Sequence, residues 1–238
     1  MSLILPKRSL SRRQLLQWSG LSVASSLLAG CGTTAFSETV GQTVEPLNQS
    51  IEALMLSHKP VPEFPTNAIE PDKLLINTFD LTPQLDPATF RLTIDGEVNH
   101  PMQLSMTDIH NLPLTSMVIR HVCVEGWAAI VQWGGVRMQA LAKLVQPKPS
   151  ARYVYFKSAD FYYESWDIAS VLHPQTLMAY QKNGAPLSID NGAPLRLASP
   201  LKLGYKQSKW VTQITFLSSL PKDSGYWEVQ GYEWFAGL

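Results

Sequence analysis

A chain of 238 residues, 45% of them hydrophobic, can bury a real core and suits one large domain or a compact pair. Its 19 basic and 19 acidic residues cancel, but Lys7, Arg8, Arg12 and Arg13 all precede residue 31. Removal of residues 1–30 leaves 208 residues with a net charge of −4, which excludes the basic surface of a nucleic-acid-binding protein.

The N-terminus has the pattern of a processing segment. Ser11-Arg12-Arg13-Gln14-Leu15-Leu16-Gln17 is a twin-arginine export pattern. The apolar stretch from Trp18 to Leu28 is shorter than the ~20 residues a spanning helix needs. It ends in Leu28-Ala29-Gly30-Cys31, which resembles the lipobox of bacterial lipoproteins. The expectation is a signal over residues 1–30, lipidation at Cys31, and an exported, periplasmic or extracytoplasmic protein held at a membrane surface. The alternative is an ordinary signal peptide with a chance cysteine. Residues 31–70, with prolines at 60, 62 and 65, are expected to form a tether with one short helix near Ser50 to Ser57. Residues 71–238 are expected to form the folded domain.

Leu74-Leu75-Ile76-Asn77-Thr78-Phe79-Asp80 reads as a strand end followed by an Asx turn. Phe90 to Val98 alternates and turns at Asp95-Gly96. Ser105 to Leu112 opens as a capped short helix. Leu114 to Val124 reads as a buried strand. It delivers Cys123, which precedes a Gly126-Trp127 bend.

Cys123 is the one cysteine after Cys31. Residues alone leave it three readings: a small buried hydrophobe, a redox or catalytic nucleophile, or a metal ligand. Arg120, His121 and Glu125 crowd it in sequence, and a neighbouring arginine favours the thiolate. Glu125, two residues on, points to the same side of an extended segment as the thiol. It reads either as a group that supports or carries a proton beside a metal, or as a salt-bridge partner of Arg120.

Further on, Gly134-Gly135 is expected to break the chain, and Met138 to Val145 to form an amphipathic helix stopping before Pro147. Strands are expected at Arg152–Ser158 and Tyr162–Ile168, and a helical turn at Asp167–Leu172. His173 reads as a structural histidine, with a ligand or proton-shuttle role as the alternative. A hairpin is expected about Asn183-Gly184, a short strand at Pro194–Leu197, and a last strand at Trp210–Phe216.

The segment Arg120-His121-Val122-Cys123-Val124-Glu125-Gly126-Trp127, with Trp133 after it, resembles the molybdenum-binding core of the sulfite oxidase-like molybdopterin oxidoreductases. Within them it is most similar to the periplasmic methionine-sulfoxide reductase catalytic subunits. The likeness continues at His173–Met178, at Asn191–Leu197 and at Gly204–Lys209, and so covers roughly residues 70 to 220. It implies an α+β fold, mostly β with short helices. It implies a molybdenum-molybdopterin cofactor whose metal is held by Cys123, because molybdenum accepts a soft thiolate. Asn77, Cys123 and Glu125 are then the reacting neighbourhood. Asn77, Phe79, Asp80, Ser158, Asn191, Arg196, Gln207, Ser208 and Lys209 contact the cofactor, with the cations suited to its phosphate. With Cys31 assigned to lipid and Cys123 to metal, no disulfide is expected.

The resemblance implies an oxygen-atom-transfer reductase of small or protein-borne sulfoxides such as oxidised methionine. Electrons would come from a haem- or quinone-linked membrane donor, since no haem or flavin motif is visible. The thiol lacks the Cys-x-Gly-Asn-Arg surroundings of the sulfite oxidases, and the ending Gly225 to Tyr232 departs from the longer methionine-sulfoxide reductases. Two other classes stay open: a lipid-anchored scaffold that kept the fold without active metal, and a metal-free thiol redox protein.

Overall fold

The structure is a computed structural model that describes residues 60–238. The twin-arginine segment, Cys31 and the helix expected near residue 50 lie outside the described residues.

Two five-stranded sheets carry the fold. The first contains β1 (Arg91–Gly96), β2 (Met102–Ser105), β5 (Tyr153–Ser158), β6 (Tyr163–Asp167) and β10 (Val211–Leu217). Its order is β2-β1-β10-β5-β6, antiparallel except for the parallel pair β1–β10. The second runs β3-β4-β7-β8, from β3 (Leu114–Val122), β4 (Ala128–Arg137), β7 (Leu177–Lys182) and β8 (Ala185–Pro186). In it β9 (Arg196–Ala198) also pairs with β7. Three short α-helices, α1 (Met106–His110), α2 (Met138–Val145) and α3 (Ile168–Val171), and three single 3-10 turns complete the described part. The expected α+β, mostly β class is therefore what forms.

Local chemistry accounts for the boundaries. Ser105 caps α1: its hydroxyl accepts from the Asp108 amide, and the Asp108 carboxylate accepts from the Ser105 amide. Met138, Leu141, Ala142 and Val145 recur at helical spacing and are the buried face of α2. Asp167 caps α3 through the Ser170 amide. Asn183 and Gly184, both at positive φ, turn β7 into β8.

Leu92 and Ile94 of β1, Ile214 and Phe216 of β10 and Val154 and Phe156 of β5 alternate onto one face, against α1 and α2. Each such buried side chain stabilises the fold by roughly 1.5–3 kcal/mol relative to exposure. A second cluster, Met117, Ile119, Ala129, Val131 and Trp133 with Leu177 and Ala179, underlies the β3–β4 hairpin.

Two expectations change. Gly134-Gly135 does not break the chain; both residues lie inside β4, at a register shift against β7. A Cβ at Gly135 would run into the Met178 carbonyl oxygen, so the glycine serves close strand approach rather than a turn. Also, residues 60–70, expected in the tether, run along the hairpin. Phe64 N–H donates to the Val118 carbonyl and Glu70 N–H to that of Ile130, both at 2.9 Å.

Candidate functional site

The β3–β4 turn sets the site. Cys123 is the first residue past β3, its N–H donating to the Trp127 carbonyl at 2.9 Å. Gly126 N–H donates back to the Cys123 carbonyl at 3.1 Å. Cys123 is 9% exposed and lines a cleft of about 210 Å3. Glu125 Oε2 lies 3.5 Å from the sulfur. The same oxygen accepts from Trp127 Nε1 at 2.9 Å and Asn77 Nδ2 at 3.0 Å. These hydrogen bonds, that from Trp127 foremost, hold the Glu125 carboxyl below the usual range.

Of the two readings of Glu125, the salt bridge to Arg120 is not formed. Strand alternation sends Arg120 out to the opposite face, where it sits 5.2 Å over the Phe64 ring. Nor does Arg120 favour the thiolate: burial pushes the Cys123 thiol up, the Glu125 carboxylate adding to the rise and the backbone amides of Glu125 and Val124 opposing it. His121 points inward instead, stacked on Trp127 at 5.9 Å. Burial first, and the charge of Arg196 second, hold His121 neutral at about 3.

Cations also line the cleft. Arg196, on β9, is fully buried beneath Asn191 and Gln207, whose carbonyls accept its Nη1 and Nη2 at 3.1 and 3.4 Å. Its guanidinium lies 4.5 Å over Trp133. No carboxylate pairs with it among the described ion pairs. Burial lowers it to about 10. Lys209 donates to the Asp190 carbonyl at 3.0 Å, and burial followed by repulsion from Arg196 lowers it to about 8. Lys182, bonded to Asn191 Oδ1 at 3.3 Å, is lowered for the same two reasons.

Of the eleven residues singled out from sequence, nine line this cleft: Asn77, Phe79, Cys123, Glu125, Asn191, Arg196, Gln207, Ser208 and Lys209. Asp80 is exposed outside the lining, and Ser158 is buried at the end of β5, also outside it. The Gln207 side chain is already committed, donating to the Ser199 and Lys202 carbonyls and accepting from the Ser199 amide. Ser208 is different: its buried hydroxyl has no partner. His173 is buried away from the lining, with Nδ1 accepting from the Gln175 amide. Sequence reasoning missed Asp160, Tyr162, Tyr205, Trp227 and Tyr232 as cleft residues. The aromatic density of residues 226–232 was the available signal.

These residues fit a molybdopterin. Among the described residues no group of three or more His, Cys, Asp or Glu could hold a bare metal ion. A metal here needs ligands of its own besides one thiol, as a dithiolene provides. Arg196 without a counter-anion, and the unpartnered Ser208 hydroxyl, suit the anionic end of such a cofactor.

The comparisons agree. The model of one protein family, the oxidoreductase molybdopterin binding domain, matches residues 79–227. A putative protein-methionine-sulfoxide reductase subunit of Azospira oryzae is 36% identical over 239 residues, covering 95% of this chain and 88% of its own length. The protein-methionine-sulfoxide reductase catalytic subunit of Campylobacter jejuni is 29% identical, covering 95% and 79%. That of Xanthomonas campestris is 30% identical, covering 89% and 71%. Among solved structures, the sulfane dehydrogenase SoxCD of Paracoccus pantotrophus shares the fold at a TM-score of 0.55 and 22% identity, over 58% of this chain and 40% of that one. The chain thus belongs to the oxidoreductase molybdopterin binding domain family and is a sulfite oxidase-like molybdopterin oxidoreductase.

Proposed function

We propose that this enzyme reduces sulfoxides by oxygen-atom transfer, with methionine sulfoxide in protein as its substrate class, and that Cys123 holds the molybdenum. The observation that carries the reading is the Cys123–Glu125–Asn77 constellation in a cleft that is also lined by an unneutralised Arg196. The names of the Azospira, Campylobacter and Xanthomonas relatives support the substrate class.

When bound, the cofactor supplies the two-electron oxygen-atom chemistry. The protein's own residues do the rest. Cys123 would hold the metal, while Arg196, Lys209 and the Ser208 hydroxyl would hold the anionic end of the pterin. Asn77 and Trp127 fix Glu125 beside the thiol. His121, kept neutral, adds no positive charge to the cleft lining. In the overall reaction the sulfoxide sulfur is reduced to a thioether, and its oxygen leaves as water with two protons and two electrons.

The electrons are proposed to come from a haem- or quinone-linked membrane donor, since relatives are named as subunits. The twin-arginine pattern and Cys31 support export of the folded protein and a lipid anchor. The test is molybdenum and pterin content of protein made with its export segment in a molybdenum-replete host. Near one molybdenum per wild-type chain, little in Cys123→Ser, and reduction of peptide methionine sulfoxide by the loaded enzyme are expected. Folded wild-type protein free of metal and pterin, or loaded protein inert to every sulfoxide, overturns the reading.

A further inference from the structure

The C-terminal segment folds back onto the cleft. Gly225 to Tyr232 places Trp227 and Tyr232 in its lining, beside Phe79, Tyr162 and Tyr205. The rings form a continuous chain. Phe79 meets Tyr162 at 5.8 Å and Tyr226 at 4.3 Å. Tyr226 meets Trp227 at 5.2 Å, Trp227 meets Tyr232 at 5.0 Å, and Tyr232 meets Tyr205 at 5.5 Å. This wall is not closed off as core: Phe79 is 39% and Tyr232 40% exposed.

The wall is held from behind by a buried ionic cluster. Lys206 Nζ lies 2.5 Å from Glu164 Oε1 and 2.5 Å from Glu228 Oε1, and all three side chains are nearly inaccessible. Gly225 sits where a Cβ would strike both glutamates, so the segment approaches as close as a backbone can. Glu228 is next to Trp227, and Lys206 is next to Tyr205, so the cluster fixes one aromatic residue of the wall from each side. Burying three ionisable groups to pin a surface segment is costly unless the segment must be held in one place.

We infer that Trp227 and Tyr232 are specificity-determining residues. With Phe79 they receive the apolar arm next to the reacting sulfur, which selects sulfoxides carrying a large apolar or thioether-like arm over small polar ones. The inference rests on the sulfoxide-reductase reading for its substrate class. Its physical basis is the attraction of sulfur and apolar groups to aromatic rings. Glu164, Lys206 and Glu228 act through the wall and are positioning residues.

The experiment compares methyl phenyl sulfoxide with dimethyl sulfoxide in wild type, Trp227→Ala, Trp227→Phe and Tyr232→Ala, each normalised to molybdenum content. The ratio of kcat/KM between the two substrates is expected to fall about tenfold in Trp227→Ala and Tyr232→Ala, through KM, and to recover in Trp227→Phe. An unchanged ratio, or equal loss for both substrates, overturns the inference. Calorimetric titration with methyl phenyl sulfide reads the wall without turnover: binding to wild type that weakens about tenfold in Trp227→Ala supports it, and no binding to wild type overturns it. Loaded wild type that binds the sulfide yet reduces neither sulfoxide refutes the reductase reading while leaving the wall supported.

Discussion

Asn77 and Glu125 lie 48 positions apart and meet through a 3.0 Å hydrogen bond from the Asn77 amide to Glu125 Oε2, the oxygen that also faces the Cys123 thiol. The segment before the first strand thereby orients the carboxylate of the β3–β4 turn. Replacing Asn77 with Ala removes one of three donors from that oxygen. Retained molybdenum with a fall of about 10- to 100-fold in sulfoxide turnover is expected, because groups that orient a metal's surroundings contribute on that scale. Metal content and kcat measured on the same preparation check it.

Arg196 is a buried cation without an anion. Arg196→Met should therefore act in opposite directions on the two forms of the protein. The variant is expected to lose pterin on purification. Cofactor-free protein should melt a few degrees higher than cofactor-free wild type, about 2–4 °C per kcal/mol for a chain of this size, since an uncompensated buried charge is removed. Calorimetry on protein from a host unable to make the cofactor tests the second half. A lower Tm would mean that the carbonyl and Trp133 contacts outweigh desolvation.

Lys209 sits at about 8, below its ordinary value of 10.5. Its folded value is depressed, so between about 8 and 10.5 the unfolded chain binds more protons, and cofactor-free protein gains stability as pH rises through that window. The charge offered to an anion runs the other way, being full below 8 and lost above it. Binding of inorganic pyrophosphate to cofactor-free protein should weaken as pH rises from 7 to 9. Lys209→Arg should flatten that profile, and titration calorimetry at the two pH values reads both.

Glu164 is pushed well above its ordinary range, by burial first and by the negative charge of Glu228, with Lys206 opposing. A carboxyl with a raised folded value stabilises the fold at low pH and loses that contribution as pH climbs from its unfolded value of 4.5 toward the folded one. Glu164→Gln should remove this slope from urea-unfolding measurements between pH 5 and 8. Lys206→Met removes the cation from between two buried carboxyl groups, driving Glu164 further toward its protonated form, and should destabilise the fold by about 3–5 kcal/mol, as expected when one partner of a buried ionic group is removed.

Local chemistry made much of the fold readable. The Ser105 cap, the Met138–Val145 stripe and the Asn183-Gly184 turn act over a few residues, and each formed where sequence placed it. The Gly134-Gly135 pair was misread because its reason, the Met178 carbonyl pressing from β7, lies more than forty residues away. The residues expected around the thiol came from a family resemblance rather than from local chemistry, and Asn77 reaches Glu125 across 48 positions. Arg120 was misread, since which face it takes depends on the register of β3 against β4. The aromatic wall stayed invisible because a pattern of rings does not reveal what it folds back on. Contacts distant in sequence, among them Lys206–Glu228 across 22 positions and the Glu164–Gly225 bridge, bring it to the cleft.

The parallel pairing of β10 with β1 bears on how the enzyme is made. The strand from residues 211–217 enters the middle of its sheet, between β1 and β5. Until the ribosome has released those residues, β1 has no neighbour on that side, and the Gly204–Lys209 loop has no anchor on its downstream end. The cofactor pocket is therefore assembled only once residues 211–217 have been made, and loading has to wait for that late strand to enter a sheet whose other members precede it in the chain.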